Sequence, residues 1–265
     1  MSLPSLPTLA TATELLLILD FDGTLAHFSD HPTDVRAVPG AMDSLRRLAH
    51  APGTTVMVLS GRALEHLSIV TEQPAIVAPA DGDIRLVGGH GSEPAERTAE
   101  SSRTPEQTAL WEHLRGVAQG FADRVPGMWV EEKTNSVGLH YRRADTYENG
   151  HAVSRDFIAE LERLRPELAP FHITDGKDIV EVSVSLTTKG SYVAGYLDNL
   201  PTSRHPVVAF AGDDVTDETV FEVLRERGGV GIKIGAGPTA ASERLADPEA
   251  VRDFLSELAA QRCDP

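Results

Sequence analysis

Leu15-Leu16-Leu17-Ile18-Leu19-Asp20-Phe21-Asp22-Gly23-Thr24 runs five aliphatic residues straight into two acids, a glycine and a hydroxyl. An unbroken aliphatic run of that length is the composition of a central strand buried on both faces. Gly23 stands where the chain must turn sharply. In an open parallel sheet, ligands bind outside the carboxyl ends of the strands. Asp20 and Asp22 therefore lie where two acids can divide displacement chemistry, one as nucleophile and the other as general acid and base. A lone D-x-D also closes strands as a polar turn, so the reading depends on what accompanies it.

The flanking sequence repeats the same pattern. Pro39 to His50 reads as a helix with Met42, Leu45, Leu48 and Ala49 on one face, ended by Pro52-Gly53. Thr54 to Leu59 is a second apolar run, again delivered into polar residues, Ser60-Gly61-Arg62. Ala75 to Ala78 is a short third run, with Ile84 to Gly89 expected to pair with it as a hairpin. Towards the C-terminus Val207 to Ala211 leads into Gly212-Asp213-Asp214, a helix is expected over 217–227, and Val230 to Ile234 is another strand. Alternating strands and helices with acids at strand ends predict an α/β fold, a doubly wound Rossmann-like parallel sheet.

The middle of the chain differs. Residues 92–108, rich in Ser, Thr, Glu and Pro, read as a linker. Thr104 can cap a helix that has Pro105 at its first position, and Leu110, Leu114, Val117 and Phe121 form an apolar stripe at helical spacing. A second helix is expected at about 151–165, with strands at 128–133, 136–142 and 178–184. These elements predict an inserted α+β cap over 104–185, splitting the catalytic core into 1–103 and 186–265. Side chains alternate faces along a strand. Val130, Val137, Leu139, Tyr141, Val180, Val182 and Val184 share the aliphatic side, while Glu131, Lys133, His140, Arg142 and Glu181 gather on the other. That polar face suits a polyhydroxylated ligand if it looks onto the catalytic acids; otherwise it is simply solvated.

The 265 residues carry 24 basic and 40 acidic side chains, a net charge of −16. Such a balance argues against sequence-independent nucleic-acid binding and against docking on anionic membrane. An anionic substrate would need metal or basic residues concentrated locally. The single cysteine excludes an intramolecular disulfide. No run reaches transmembrane length, and residues 1–14 lack the basic start of a signal peptide. A cytoplasmic protein, monomeric or a small homo-oligomer, is expected.

Four pieces stand in order: Asp20-Phe21-Asp22-Gly23-Thr24, Leu59-Ser60-Gly61-Arg62, Lys189-Gly190, and Gly212-Asp213-Asp214-Val215-Thr216-Asp217. Together they resemble the haloacid dehalogenase-like superfamily of phosphatases. Phosphoryl transfer depends on positioning and on electrostatic stabilisation of negative charge. A carboxylate attacking a phosphate dianion is repelled unless a cation screens the pair. Asp20 and Asp213, with a backbone carbonyl, offer the hard oxygen ligands that Mg²⁺ prefers. Lys189 would neutralise phosphate oxygens and keep Asp20 ionised, and Ser60 can donate to a phosphate oxygen.

The resemblance implies roles residue by residue. Asp20 would form an aspartyl-phosphate intermediate. Asp22 would protonate the leaving oxygen and then activate water, while its main-chain carbonyl binds metal. Asp213 would be the second acidic metal ligand, supported by Asp214. Thr24, Ser60, Gly61 and Lys189 would surround the phosphate with Asp20 and Asp22.

Across residues 15 to 258 the chain is similar to the trehalose-6-phosphate phosphatase family. The matching pieces are Gly89-His90-Gly91-Ser92-Glu93, Val130-Glu131-Glu132-Lys133, His140-Tyr141-Arg142, Gly176-Lys177 followed by Glu181, and Gly212 to Glu218. Ile232-Lys233-Ile234-Gly235 and Ala241-Ser242-Glu243-Arg244-Leu245 also fit. This similarity implies substrate contacts from His90, Gly91, Glu131, Lys133, His140, Arg142, Lys177 and Glu181, and a small-molecule sugar phosphate as the partner. One departure stands out. After the glutamate the family pattern has a basic residue and proline, whereas here Glu181-Val182-Ser183-Val184 follows. A trehalose-like pseudo-disaccharide phosphate, such as the 7'-phosphate of validoxylamine, is therefore an alternative to trehalose 6-phosphate. An inactive sugar-phosphate sensor is the non-enzymatic alternative.

Overall fold

The computed structural model describes residues 3–29, 34–76, 78–96, 103–176 and 178–263. The chain forms two compact units, 1–97 with 187–265 and 98–186.

In the first unit, β1 (Leu15–Leu19) is buried at all five positions. It pairs in parallel with β2 (Thr54–Leu59) on one side and β9 (Val207–Gly212) on the other. Outside β2 lie β3 (Ile84–Gly88), parallel, and β4 (Glu93–Pro94), antiparallel. Outside β9 lie β10 (Val230–Ile234) and β11 (Glu243–Leu245), both parallel. The order of the seven strands is β11-β10-β9-β1-β2-β3-β4. The chain winds from β1 towards one edge and later returns to build the other half, so β1 and β9 flank the point where strand order reverses. That crevice is where doubly wound sheets bind ligands.

Helices cover the sheet with apolar stripes. α1 (Leu6–Thr11), α2 (Ala41–Ala49), α3 (Leu64–Thr71) and α8 (Pro248–Cys263) bury Leu6, Leu9, Leu45, Leu48, Leu67, Val251, Leu255 and Leu258 against Leu15, Leu17 and Leu19. α6 (Lys189–Asp198) and α7 (Glu218–Arg227) supply Val193, Val220, Phe221 and Leu224 to a second cluster with Leu16, Ile18 and Phe210. Alternate β1 side chains thus anchor opposite layers, as the all-aliphatic run implies. Each fully buried Leu or Phe contributes about 1.5–3 kcal/mol relative to exposure.

The second unit is a four-stranded antiparallel sheet backed by two helices. β5 (Trp129–Glu132), β6 (Ser136–His140), β7 (His172–Gly176) and β8 (Ile179–Ser183) take the order β5-β6-β8-β7. α4 (Pro105–Ala122) begins at a capping box in which Thr104 and Gln107 satisfy each other's backbone N–H. α5 (Tyr147–Leu164) starts at Thr146, whose hydroxyl accepts from the Asn149 N–H. Val137, Leu139, Val180 and Val182 bury against Leu110, Leu114, Phe121, Phe157 and Leu161 of these helices.

Three expectations need correction. Ile84–Gly88 does not form a hairpin with 75–78: it runs parallel to β2, and its antiparallel partner is β4, which interrupts the presumed linker 92–108. Val77 lies outside the described residues, as does 97–102. α5 starts four residues before 151, because Gly150 belongs inside it; a Cβ there would lie 2.7 Å from the Ala144 Cβ. The strand expected over 136–142 ends at His140. Among the described residues, no helix is long and apolar enough to cross a membrane.

Candidate active site

The central strand ends by placing Asp20 beside β9, with its N–H donating to the Ala211 carbonyl at 2.9 Å. The Asp20 side chain is buried, and its Oδ1 accepts from Lys189 Nζ at 2.7 Å. Lys189, at the start of α6 and only 2% exposed, donates equally to Asp217 Oδ1 at 2.7 Å. Asp217 is fully buried, and its other oxygen accepts the Asp214 N–H at 2.9 Å. Sequence reasoning left Asp217 unassigned, although its four-residue spacing from Asp213, across one turn ahead of α7, could have pointed to it.

Asp213 closes the group. Gly23 makes this possible: at φ +77°, a Cβ on it would lie 2.1 Å from Asp213 Oδ2. Lys233 donates to the Asp213 carbonyl and lies 3.6 Å from Glu218, tying the loop after β9 to β10. Asp20, Asp213 and Asp217 each offer an oxygen within 4.8 Å of the others. Asp214, expected to support the metal, is exposed instead; its carboxylate accepts from Thr216 Oγ1 at 3.3 Å. The tight turn at 213–217 directs alternate acids inward and outward, and the inward partner of Asp213 is Asp217.

The electrostatics of this cluster favour a cation. Burial pushes the Asp20 carboxyl up to about 8, opposed by Lys189 and reinforced by Asp217. Burial also raises Asp213 to about 6, with Asp217 and Asp214 adding to the shift and Lys189 and Lys233 opposing it. Lys189 resists its own burial and is held above its usual value by Asp20 and Asp217. Asp20 and Asp217 share the one ammonium of Lys189, and Asp213 Oδ1 is buried with no hydrogen-bond partner among the described residues. A hard divalent cation fits this set of oxygens. Both Asp217 oxygens are already engaged, so Asp20 and Asp213 are the carboxylates best placed to ligate it.

Around the acids, Ser60 is buried at the end of β2, and its Oγ accepts the Arg62 N–H at 3.1 Å. Thr24 Oγ1 is buried without a partner among the described residues. Gly61 abuts His90, whose N–H donates to the Ser60 carbonyl at 2.9 Å and whose backbone is left-handed at φ +55°. Gly91 is buried against Tyr192. The Asp22 carboxylate, outside the acid cluster, is gripped by Arg62 at both oxygens, 2.6 Å each. That fork was also missed in the sequence, where Arg62 had no role.

In the second unit a polar row crosses the sheet. Register sets Glu131 opposite Gly138 and Gly138 opposite Glu181. Lys133 Nζ donates to Glu181 Oε2 at 2.5 Å, and Ser136 Oγ to Glu181 Oε1 at 2.7 Å. His140 Nε2 and Glu131 Oε2 are 2.8 Å apart, and Trp129 stacks on the His140 ring with centroids 4.4 Å apart. Arg142 lies beyond the strand in a turn, half-exposed and 3.3 Å from Asp178. Lys177 is outside the described residues.

A family model described as "Trehalose-phosphatase" matches residues 18–249. The chain belongs to this family. It is 34% identical over 260 residues to a bifunctional trehalose-6-phosphate synthase/phosphatase of Thermoproteus tenax, covering 94% of this chain but 32% of that protein. It is 30% identical over 240 residues to the trehalose-6-phosphate phosphatase of Escherichia coli, covering 90% and 84%. The C-terminal domain of the C. albicans trehalose-6-phosphate phosphatase shares the fold, with a TM-score of 0.73 at 22% identity over 98% of this chain and 97% of that one. The family member described here is thus a phosphatase with an acidic cluster suited to a divalent metal.

Proposed function

We propose that the chain is a Mg²⁺-dependent phosphatase hydrolysing a disaccharide phosphate, trehalose 6-phosphate first, through an aspartyl-phosphate on Asp20. The observation that carries this reading is the buried Asp20–Lys189 pair at the reversal of strand order. Asp20 and Asp213, with the Asp22 carbonyl, would hold Mg²⁺. The bound ion would supply the positive charge that screens nucleophile from phosphate.

In the first step an Asp20 oxygen forms a bond to phosphorus while the bond from phosphorus to the sugar oxygen breaks. Asp22 delivers the proton that the departing oxygen needs. In the second step water attacks the aspartyl-phosphate, Asp22 takes its proton, and phosphate leaves with Asp20 regenerated. Lys189 neutralises charge beside Asp20 throughout. The Ser60 hydroxyl accepts from Arg62, so its own proton remains for a phosphate oxygen, and Thr24 is a second such donor.

The raised carboxyls make metal binding and stability depend on pH. Unfolded aspartate titrates near 3.9. Between about 4 and 8 these two carboxyls hold more protons in the folded protein than in the unfolded chain, so their contribution to metal-free stability falls as pH rises. Mg²⁺ competes with those protons. It should raise the thermal midpoint more at pH 8 than at pH 5, and chelator should abolish phosphate release. Calorimetric scans with and without Mg²⁺ at both pH values check this; equal shifts would contradict it.

Sugar recognition is assigned to Glu131, Lys133, His140 and Glu181. Contacts remote from the phosphate hold the reacting atoms in line, so they act on kcat as well as on affinity. Lys133→Ala and Glu181→Ala should lower kcat/KM for trehalose 6-phosphate about 10²-fold and hardly affect a small aryl phosphate. A phosphate-release assay decides; equal losses on both substrates would remove the specificity role. A pseudo-disaccharide phosphate is the second reading, favoured by Ser183, whose hydroxyl is committed to the Asn135 and Ser185 carbonyls where the family pattern has a cation. Including that substrate with glucose 6-phosphate and sucrose 6-phosphate in the same assay separates the readings. Sugar binding without turnover would favour the sensor.

A further inference from the structure

We propose that Arg62 positions Asp22 for proton transfer to the leaving oxygen, and that it does so as a planar fork rather than as a charge. The inference rests on the reading of Asp22 as general acid. Arg62 Nε donates to Asp22 Oδ2 and Arg62 Nη2 to Oδ1, each at 2.6 Å. Two parallel hydrogen bonds fix the plane of the carboxylate, which a single contact would leave free to rotate. Each oxygen has a further lone pair, so the grip still allows proton exchange on the open side. The Asp22 side chain is 25% exposed, and among the described residues no other side chain bonds it. Its direction is set by Arg62.

Arg62 is itself held firmly. Its guanidinium carbon lies 5.7 Å from the centre of the Phe21 ring, between the two acids in sequence. Its N–H donates to Ser60 Oγ, and its carbonyl accepts the Gly89 N–H at 2.8 Å. The His90 N–H bonds the Ser60 carbonyl two residues earlier. Gly61 allows His90 to approach, since a Cβ there would lie 2.5 Å from His90 Cε1. The loop at 89–91 therefore braces the turn at 60–62, which aims Asp22. A group that donates a proton in the transition state must stand within hydrogen-bond reach of the departing oxygen. Misplacement by about 1 Å can cost about 10²-fold in rate.

The test is a single-turnover measurement of leaving-group release, with enzyme in excess, from trehalose 6-phosphate and from 4-nitrophenyl phosphate. The sugar alkoxide needs a proton to depart, whereas nitrophenolate does not. Arg62→Ala should slow release from the sugar phosphate about 10²-fold and leave the aryl phosphate within about threefold. Arg62→Lys, which keeps the charge but not the fork, should show the same bias; wild-type rates in Arg62→Lys would overturn the proposal. So would equal losses on both substrates, which mark a role in phosphate binding or folding, or no loss on either. Asp22→Asn on the same pair separates the two levels. If Asp22→Asn shows no bias, the acid assignment fails; if it shows bias and the Arg62 variants do not, only the role of Arg62 fails.

Discussion

Asp20→Asn should leave a folded protein that has lost at least about 10⁴-fold in phosphate release. The amide keeps the shape of the carboxyl and cannot form the acyl phosphate. Its effect on stability runs the other way. Asp20 and Asp217 place two negative charges against the single charge of Lys189, all three buried. Burial opposes the ionised Asp20, which is why its carboxyl sits near 8. Removing that charge balances Lys189 against Asp217 alone. The variant should therefore melt no lower than the parent at pH 8 without metal, and Mg²⁺ should stabilise it less. Assays on folded protein, with thermal scans alongside, measure both. Near-normal turnover in a folded Asp20→Asn protein would remove Asp20 as nucleophile.

Strands whose surroundings are uniform were legible in the sequence. Leu15–Leu19, Val56–Leu59 and Val208–Gly212 are buried runs that end in the polar residues of the site, because a central parallel strand needs apolar side chains on both faces. The parity of the antiparallel sheet was equally readable, since one of its faces is packed and the other polar. Edges and caps were not. β4 is two residues long and gains its place from pairing with β3, which no local pattern announces. α5 begins at a Thr146 cap and runs through Gly150, where helix propensity alone argues for a break.

The candidate site divides along similar lines. Acids at strand ends could be found because the topology alone brings Asp20 and Asp213 together. Arg62 could not be assigned, since its partner Asp22 is 40 residues away and meets it only through tertiary packing; for Asp217 the spacing from Asp213 was a usable signal, but its partner Lys189, 28 residues away, was not. Asp214, expected to support the metal, is exposed, while Asp217 three residues on is buried beside Lys189. Adjacent acids in a turn point in different directions, and the sequence does not say which one faces inward.

Lys189→Met tests the centre of this network from the cationic side. Removing one partner from a buried ion pair usually costs about 3–5 kcal/mol, because the remaining charge is left uncompensated. Here Asp217, at 0% exposure, would be stranded, and Asp20, at 4%, would be stranded too wherever it is ionised. At pH 9, where the parent's Asp20 is ionised against Lys189, the loss should reach that range. At pH 6, where Asp20 is protonated in parent and variant alike, it should be smaller. Lys189 opposes the upward shift of Asp20, so without it the carboxyl keeps its proton to higher pH. The sign follows from linkage: as pH rises through 8 the folded variant holds a proton on Asp20 that the folded parent gives up, so the difference between them grows. Divalent cation should recover part of the loss at pH 9, since it replaces the missing positive charge beside Asp20. Denaturant unfolding at the two pH values, with and without Mg²⁺, measures each quantity. A loss independent of pH and untouched by metal would mean that Lys189 acts through packing, and that Asp20 and Asp217 are not held together by its charge.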